Sequence, residues 1–297
     1  MPVEFRKFAG SILRQSLRLA APFKGNEIPV LTYHSIDESG SLLSIAPAAL
    51  RRQLAALRDE NWRSLSISEY LARVNGGVRE PRTLLITFDD GYRNFAEHGL
   101  PLLKEFGFTA TLFVPVDFIG KPPLWLQRDE ALTRPLLQQV RLSPEERRRL
   151  EFSTSALMRE PLMDWSELRE LINAGCDIQS HGFGHYFLTE LPAVRLADDL
   201  VRSRETLEER LGLPVRAIAY PYGASNSTVA AAARAAGFDV GFVSDHGPRD
   251  DLRMMSWRGG VSGRLPQSEL IAILRTWPLY PRLRQLVRHV GAVRTVT

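Results

Sequence analysis

Short apolar segments alternate with amphipathic helical segments along most of this 297-residue chain. Six apolar runs, each bounded by turn or helix signals, are predicted to be buried strands: 28–34, 84–88, 109–116, 176–180, 217–221 and 239–244. Helical patterns lie between them, and one of these, 92–107, is interrupted by Pro101. This alternation predicts an α/β fold with a parallel sheet inside and helices outside. About seven β/α units between residues 28 and 260 predict a distorted (β/α)7-type barrel, closed or nearly closed.

One stretch, residues 121–163, breaks this rhythm. It contains Pro122-Pro123, Trp125 and the charged run 144–151, and it is predicted to be an inserted helical lid or flap. The barrel domain is expected to span 27–263, with this insertion inside it.

Charge is distributed unevenly along the chain. The net charge is +4, but residues 1–24 carry +4, residues 264–297 carry +5, and the body between them carries −5. This argues against a core that binds nucleic acid. We expect a basic amphipathic helix within 1–26 and a basic helical tail over 264–297. The helix over 3–21 could contact a membrane surface; packing on the body of the protein or in a dimer contact is the favoured alternative.

Targeting signals are weak in this sequence. Cys176 is the single cysteine, which excludes an intrachain disulfide. No apolar run has the length of a spanning helix, and Arg14 and Arg18 break the N-terminal apolar stretch, which is therefore not a convincing signal peptide. We expect a cytoplasmic protein, with peripheral membrane contact through residues 3–21.

Polar residues follow the predicted strands where each strand ends. They are His34, Asp89 with Asp90, His181 with His185, and the segment Pro221-Tyr222-Gly223. Active sites of β/α barrels are built at this end of the strands. We therefore expect these residues to converge on one face of the barrel.

The residue types point to a metal site, with simpler alternatives open. One of the adjacent carboxylates Asp89 and Asp90 could bind a metal while its neighbour holds a water, but an Asp before Gly91 is equally typical of a helix N-cap. His181 and His185 can share one metal ion in a tight loop, or they can hydrogen-bond locally. Two imidazoles and one carboxylate leave coordination positions open, which suits Zn²⁺ or another first-row divalent ion that supports hydrolysis.

Three segments together resemble a known family. TFDDGY (87–92), SHGFGH (180–185) and AYPYG (219–223) occur in the order and at the spacing of the polysaccharide deacetylase motifs, the NodB-homology or carbohydrate esterase family 4 fold. The resemblance covers about residues 28–260. The opening segment YHSI (33–36) further resembles the YHxI segment of the subgroup that contains the poly-N-acetylglucosamine deacetylases.

The resemblance implies a role for each matching residue. It implies that Asp89 is the general base and that Asp90, His181 and His185 bind one divalent metal ion, Zn²⁺ with Co²⁺ or Ni²⁺ as alternatives. It also implies that the Tyr222 backbone amide, in a substrate-binding turn with Pro221 and Gly223, helps to bind the oxyanion.

Two departures from the family pattern matter. Ala219 stands where the family usually has an arginine that orients the base, and we expect Arg258 to replace it, with Arg253 as second choice. No Leu-x-His segment follows residue 260 to supply the general acid. The YHSI subgroup places that histidine on the first strand, which implies His34.

The expected function is metal-dependent removal of acetyl groups from N-acetylated sugars of a polysaccharide or glycolipid. The substrate partner would be a carbohydrate, and no oligomeric state is predicted. An O-acetyl polysaccharide esterase would use the same residues. A non-catalytic glycan-binding barrel is the alternative from another class, motivated by Ala219 and the missing Leu-x-His segment.

Overall fold

The computed structural model describes residues 27–41, 43–77, 80–129, 160–244, 251–261, 263 and 265–277. The predicted helix over 3–21, most of the predicted insertion and the end of the basic tail lie outside these residues. Within them, no helix combines the length and the apolar character needed to cross a membrane.

The strands form one parallel sheet and one small separate pair. Their bounds are Val30–Tyr33 (β1), Ser35–Ile36 (β2), Ser44–Ile45 (β3), Arg63–Ser64 (β4), Thr83–Asp89 (β5), Thr111–Val114 (β6), Asp177–Ser180 (β7), Ala217–Ala219 (β8), Val240–Val243 (β9), Ser256–Trp257 (β10) and Gly259–Gly260 (β11). The sheet order is β10-β9-β8-β7-β6-β5-β1-β11, with β4 paired to β5 beside this path, and β2 pairs with β3.

The sheet closes on itself through the five-residue segment 256–260. Its first part, β10, pairs with β9, and its second part, β11, pairs with β1. Between them, the Arg258 N–H donates to Val243 O at 2.9 Å, and after them the Val261 N–H donates to Thr32 O at 3.0 Å. The predicted (β/α)7-type barrel is confirmed. The segment 256–260 takes the position of the seventh barrel strand, which the sequence pattern did not reveal.

Helices cover the outside of the barrel. They are Pro47–Asp59 (α1), Ile67–Gly76 (α2), Leu100–Phe106 (α3), Trp125–Arg128 (α4), Trp165–Asn173 (α5), Ala193–Leu211 (α6), Ser227–Ala235 (α7) and Gln267–Arg275 (α8). Single 3₁₀ turns occupy Val116–Phe118, Leu188–Glu190 and Pro221–Gly223. Part of the predicted basic tail is thus α8, which packs against α1 and buries Leu270 and Leu274.

Local capping chemistry sets where several helices begin. Ser66 and Glu69 form a reciprocal capping box at the start of α2, with the Glu69 N–H donating to Ser66 Oγ and the Ser66 N–H donating to the Glu69 carboxylate. Asp164 and Glu167 do the same for α5. These caps satisfy N–H groups that have no partner within the helix itself.

The predicted helix over 92–107 is wrong in its first half. Residues Phe95–Gly99 form a wider π-helical turn, and the α-helix α3 begins at Leu100 with Pro101 in its first turn. Proline lacks an N–H, and its ring clashes with the carbonyl four residues earlier in a regular helix. A π turn directly before Pro101 lets the chain continue without that clash.

The strands of the barrel are buried along their length, and the buried charged residues Asp89, Asp90 and Arg258 lie at one end. All seven residues of β5 are buried, and Leu84, Leu85 and Ile86 have no exposed surface. On the outer face of the sheet, towards α1, Tyr33 stacks on Phe88 with ring centroids 5.1 Å apart, and the Tyr33 hydroxyl donates to Gln53 on α1 at 3.0 Å. This dense packing holds the ends of the strands rigidly. The polar residues of the candidate site lie at those ends.

Candidate active site

The carboxyl ends of the strands carry the candidate residues, as the sequence predicts. His34 follows β1, Asp89 ends β5 and Asp90 follows it, and His181 follows β7. Arg258 lies between β10 and β11 on the closing segment. Parallel strands end at the same edge, so residues far apart in the sequence share one end of the barrel.

Asp90, His181 and His185 form a compact buried cluster. One ligand-type atom from each residue lies within 4.8 Å of the others. Asp90 Oδ1 lies 3.5 Å from His181 Nε2 and 3.3 Å from His185 Nε2. One carboxylate oxygen and two imidazole nitrogens is the donor set that Zn²⁺ and similar ions prefer.

The protonation states in this cluster suit metal binding. His181 Nδ1 lies 2.7 Å from the Ala219 carbonyl oxygen, which only accepts, so Nδ1 carries the proton and Nε2 presents its lone pair to the cluster. Burial lowers the pKa of His181 to about 4, which keeps this ring neutral. Burial alone would raise the pKa of Asp90, but His185, His34 and His181 lower it to about 2.

Two polar atoms of the cluster support the same interpretation. Asp90 Oδ1 and His185 Nδ1 are buried and have no hydrogen-bond partner within the described part of the chain. A buried carboxylate oxygen without a hydrogen bond is costly unless a cation or another group completes its environment. The residues therefore fit a divalent ion held by Asp90, His181 and His185.

Residues 181–187 carry both histidines and are called the histidine loop. Helix α6 holds this loop through hydrogen bonds to its backbone. The Asp199 carboxylate accepts the N–H groups of Phe183 and Gly184, both at 2.9 Å. Gly182 has φ +78°, and a Cβ there would lie 3.1 Å from Asp199 Oδ1. The role of Asp199 could not be predicted from the sequence, because acidic residues within a charged helix are typical of an exposed face.

The ring of His185 is packed between aromatic side chains. Trp125 stacks on it with ring centroids 4.4 Å apart, and Tyr222 meets it edge-on at 4.9 Å. Trp125 is almost completely buried. These contacts restrict the rotation of a ligand-type imidazole.

Asp89 is paired with Arg258 in a forked ion pair. Arg258 Nη1 donates to Asp89 Oδ1 and Nη2 donates to Oδ2, both at 2.7 Å, and both residues are buried. Burial would raise the pKa of Asp89, but the charge and hydrogen bonds of Arg258, together with His181 and His34, lower it below its usual value. Arg253, the second choice, instead donates through Nε to the Asp239 carbonyl oxygen at 2.5 Å. Of the two arginines, the structure places Arg258 on Asp89.

His34 also lies near Asp89, at the more exposed part of the site. Its Nε2 is 3.9 Å from Asp89 Oδ2, and its side chain is 26% exposed, whereas that of Asp89 is only 3% exposed. A histidine in this position can reach both the buried carboxylate and a molecule that enters from solvent.

Pro221, Tyr222 and Gly223 form a tight turn after β8, which we call the tyrosine turn. Tyr222 has φ +60° and Gly223 has φ +69°. A Cβ on Gly223 would lie 2.6 Å from the Ser244 Cβ, so this position requires glycine. The turn lies beside the histidine loop, where the contact between Tyr222 and His185 joins them.

The fold is a (β/α)7-type barrel, and its candidate site joins a buried carboxylate-arginine pair to three residues whose side chains could hold a divalent ion. The family model described as "Polysaccharide deacetylase" matches residues 76–241, which is more than half of the chain. The chain therefore belongs to the polysaccharide deacetylase family.

Individual relatives are more distant. The chain is 24% identical over 258 residues to the poly-beta-1,6-N-acetyl-D-glucosamine N-deacetylase of Escherichia coli strain K12, an alignment that covers 79% of this chain and 36% of that protein. The chain thus spans little more than a third of the length of this relative.

Two solved structures share the fold. IcaB from Ammonifex degensii superposes with a TM-score of 0.63 at 23% identity, covering 84% of this chain and 97% of that one. The Streptococcus pyogenes deacetylase PplD superposes with a TM-score of 0.64 at 20% identity, covering 82% and 96%. At these identities the likeness concerns the fold.

Proposed function

We propose that this protein is a metal-dependent N-deacetylase that hydrolyses the acetamide of N-acetylated sugars in a polysaccharide or glycolipid. The observation that carries the proposal is the contiguity of two buried groups. The Asp90–His181–His185 cluster directly adjoins the Asp89–Arg258 pair through the neighbouring residues Asp89 and Asp90. The name of the Escherichia coli relative supports an N-acetylglucosamine polymer as the substrate class.

A divalent ion held by Asp90, His181 and His185, with Zn²⁺ favoured by the donor set and Co²⁺ or Ni²⁺ as alternatives, would polarise the acetyl carbonyl and acidify water. The protein residues supply the remaining chemistry. Asp89 accepts a proton from the attacking water, and Arg258 keeps the carboxylate ionised and oriented. His34, in its protonated form, donates a proton to the leaving sugar nitrogen from the exposed side of the site.

Negative charge develops on the carbonyl oxygen as water attacks. The backbone N–H of Tyr222, in the tyrosine turn, is the proposed donor to this oxygen. Its position is constrained because the proline ring limits the backbone at Pro221 and because Gly223, at φ +69°, lies closely against Ser244. The products would be acetate and a sugar with a free amino group.

The test compares wild type with Asp89→Asn, each loaded with Zn²⁺, Co²⁺ or Ni²⁺. Metal content and acetate release are measured on N-acetylglucosamine oligomers and on an O-acetylated glycan. Asp177→Asn is the matched control, since Asp177 is a partly buried carboxyl at the opposite end of the barrel, where it accepts the Ile67 N–H at 2.8 Å.

We expect one metal ion per chain in all three proteins and acetate release from the N-acetylated substrate in wild type and Asp177→Asn alone. Acetate released only from the O-acetylated glycan would replace the amidase with an esterase. If the wild type binds no metal and releases no acetate, yet binds glycan tightly, the result would favour the non-catalytic glycan-binding barrel.

A further inference from the structure

Arg128 joins the stem of the predicted insertion to the histidine loop. It lies at the end of α4, and its Nη1 donates to Gly184 O at 2.8 Å while Nη2 donates to His185 O at 2.6 Å. Its guanidinium carbon also lies 4.1 Å from the centre of the Tyr186 ring. One side chain thereby holds two consecutive carbonyl groups of this loop, the second belonging to a candidate metal ligand.

Asp129 extends the connection to the tyrosine turn. Its Oδ1 accepts from Arg128 Nε at 2.7 Å, and its Oδ2 accepts from Arg128 Nη2 at 2.8 Å and from the Tyr222 hydroxyl at 2.5 Å. The Asp129 side chain is 7% exposed. A partly buried, charge-assisted network of this kind has a restricted geometry, because each donor and acceptor fixes its neighbour.

The two backbones that this pair connects are both in an unfavourable conformation. His185 has φ +50° and Tyr222 has φ +60°, and neither is glycine. Residues with a Cβ avoid the left-handed region unless the surrounding structure holds them there. Arg128 holds the carbonyl of His185, and Asp129 holds the side chain of Tyr222.

We propose that Arg128 and Asp129 are positioning residues for the site: their ion pair holds the His185 imidazole and the tyrosine turn in one fixed relationship. This inference rests on the proposed function, which gives His185 and Tyr222 their roles. It assigns residues 121–129 a part in building the metal site, in addition to the lid that the sequence predicts. Arg128 and Asp129 act through the two loops rather than on the reacting atoms.

The test uses Arg128→Ala, Arg128→Lys and Asp129→Asn in the full chain. Zn²⁺ affinity is measured by competition with a colorimetric chelator, kcat and KM by acetate release, and folding by the thermal unfolding midpoint. Arg216→Ala is the matched control. The Arg216 side chain is 38% exposed, against 34% for Arg128, and its Nε pairs with Asp239 Oδ2 at 2.6 Å near the starts of β8 and β9, at the other end of the barrel.

We expect Arg128→Ala to lower both Zn²⁺ affinity and kcat by roughly 10- to 100-fold, the range typical of residues that orient metal ligands. Arg128→Lys should fall between wild type and Ala, because an ammonium keeps the charge but lacks the fork that spans two carbonyls. Arg216→Ala should lower the unfolding midpoint while Zn²⁺ affinity and kcat stay at wild-type values.

Wild-type Zn²⁺ affinity and kcat in a folded Arg128→Ala would overturn the inference, as would equal losses in Arg216→Ala. Where Arg128→Ala fails to fold, unchanged values in Arg128→Lys and Asp129→Asn would overturn it instead. Wild type that binds Zn²⁺ but releases no acetate would contradict the proposed function alone, and the affinity measurements would still decide the role of the pair.

Discussion

Arg258 and Asp89 are 169 residues apart in sequence, yet the two guanidinium Nη atoms donate to the two carboxylate oxygens at 2.7 Å each. The closing segment of the barrel brings them together, because Arg258 lies between the short strands that pair with β9 and β1. The candidate base is thus held by the same residues that complete the sheet. Catalysis and barrel closure are expected to depend on one another here.

Replacing Arg258 should damage both activity and stability. Arg258→Ala leaves the Asp89 carboxylate buried without its partner, which we expect to cost about 3–5 kcal/mol of unfolding free energy. Arg258→Lys keeps a charge but loses the fork, and misplacing the base should lower kcat about 100-fold. Urea unfolding and acetate release measure the two effects. Arg253→Ala is the control, and an equal loss of kcat in that variant would contradict the special role of Arg258.

His34→Gln should separate proton donation from simple packing. Loss of a general acid typically lowers kcat about 100-fold or more, while the metal content should stay at the wild-type value because His34 lies outside the cluster. The loss should shrink on a synthetic acetyl substrate whose leaving group needs no proton. An equal loss of kcat on both kinds of substrate would argue for a structural role.

Metal binding at the Asp90–His181–His185 cluster is expected to stabilise the fold. Zn²⁺ at a hundred times its dissociation constant should raise the unfolding free energy of wild type by about 2.7 kcal/mol. His181→Ala should abolish this gain. His98→Ala is the control, since His98 is exposed and lies outside the cluster. A full Zn²⁺ gain in His181→Ala would show that the ion binds elsewhere.

Asp199 and its neighbour Asp198 provide a matched pair for the histidine loop. Asp199→Ala removes the acceptor of two N–H groups and should cost about 1.5–3 kcal/mol of unfolding free energy, with weaker Zn²⁺ binding. Asp198 is exposed and pairs with Arg202, so Asp198→Ala should change stability by at most about 0.5 kcal/mol. Chemical denaturation and chelator competition test both variants, and similar effects from the two would refute the loop-holding role.

Cys176 should report on unfolding rather than on function. Burial raises the pKa of its thiol to about 11, so that at pH 8 only about one thiol in a thousand is ionised. We expect native protein to react slowly with a thiol reagent at pH 8 and quickly in denaturant. Rapid labelling of the native protein would show that the start of β7 opens locally.

Some features of this structure follow from local sequence, and these were predictable. Helix caps such as Ser66 with Glu69 involve residues three apart, and the strand-helix alternation follows from the spacing of apolar residues. The positions of Asp90, His181 and His185 at strand ends could be predicted because parallel strands share one active edge. Their residue types already indicated a possible metal site, and the family resemblance of their segments assigned each residue a role.

Other features depend on the closed barrel. The segment 256–260 is too short and too rich in glycine to show a strand pattern. It forms strands only where it pairs with β9 and β1. The stacking of Trp125 on His185 and the bonds from Arg128 to the same loop join residues about 60 positions apart. Periodicity and capping describe neighbours along the chain, and so they carry no information about such contacts.

The sequence by itself determined which residues could take part in catalysis or metal binding and at which edge of the sheet they would lie. Residue type and position at a strand end can both be read from short-range patterns. The tertiary structure alone decided which arginine meets Asp89, which carboxylate holds the histidine loop and which insertion residues hold His185 and Tyr222. These contacts depend on distances across the barrel. Such distances are established only when the seven strands close into a barrel and bring distant segments into hydrogen-bonding range.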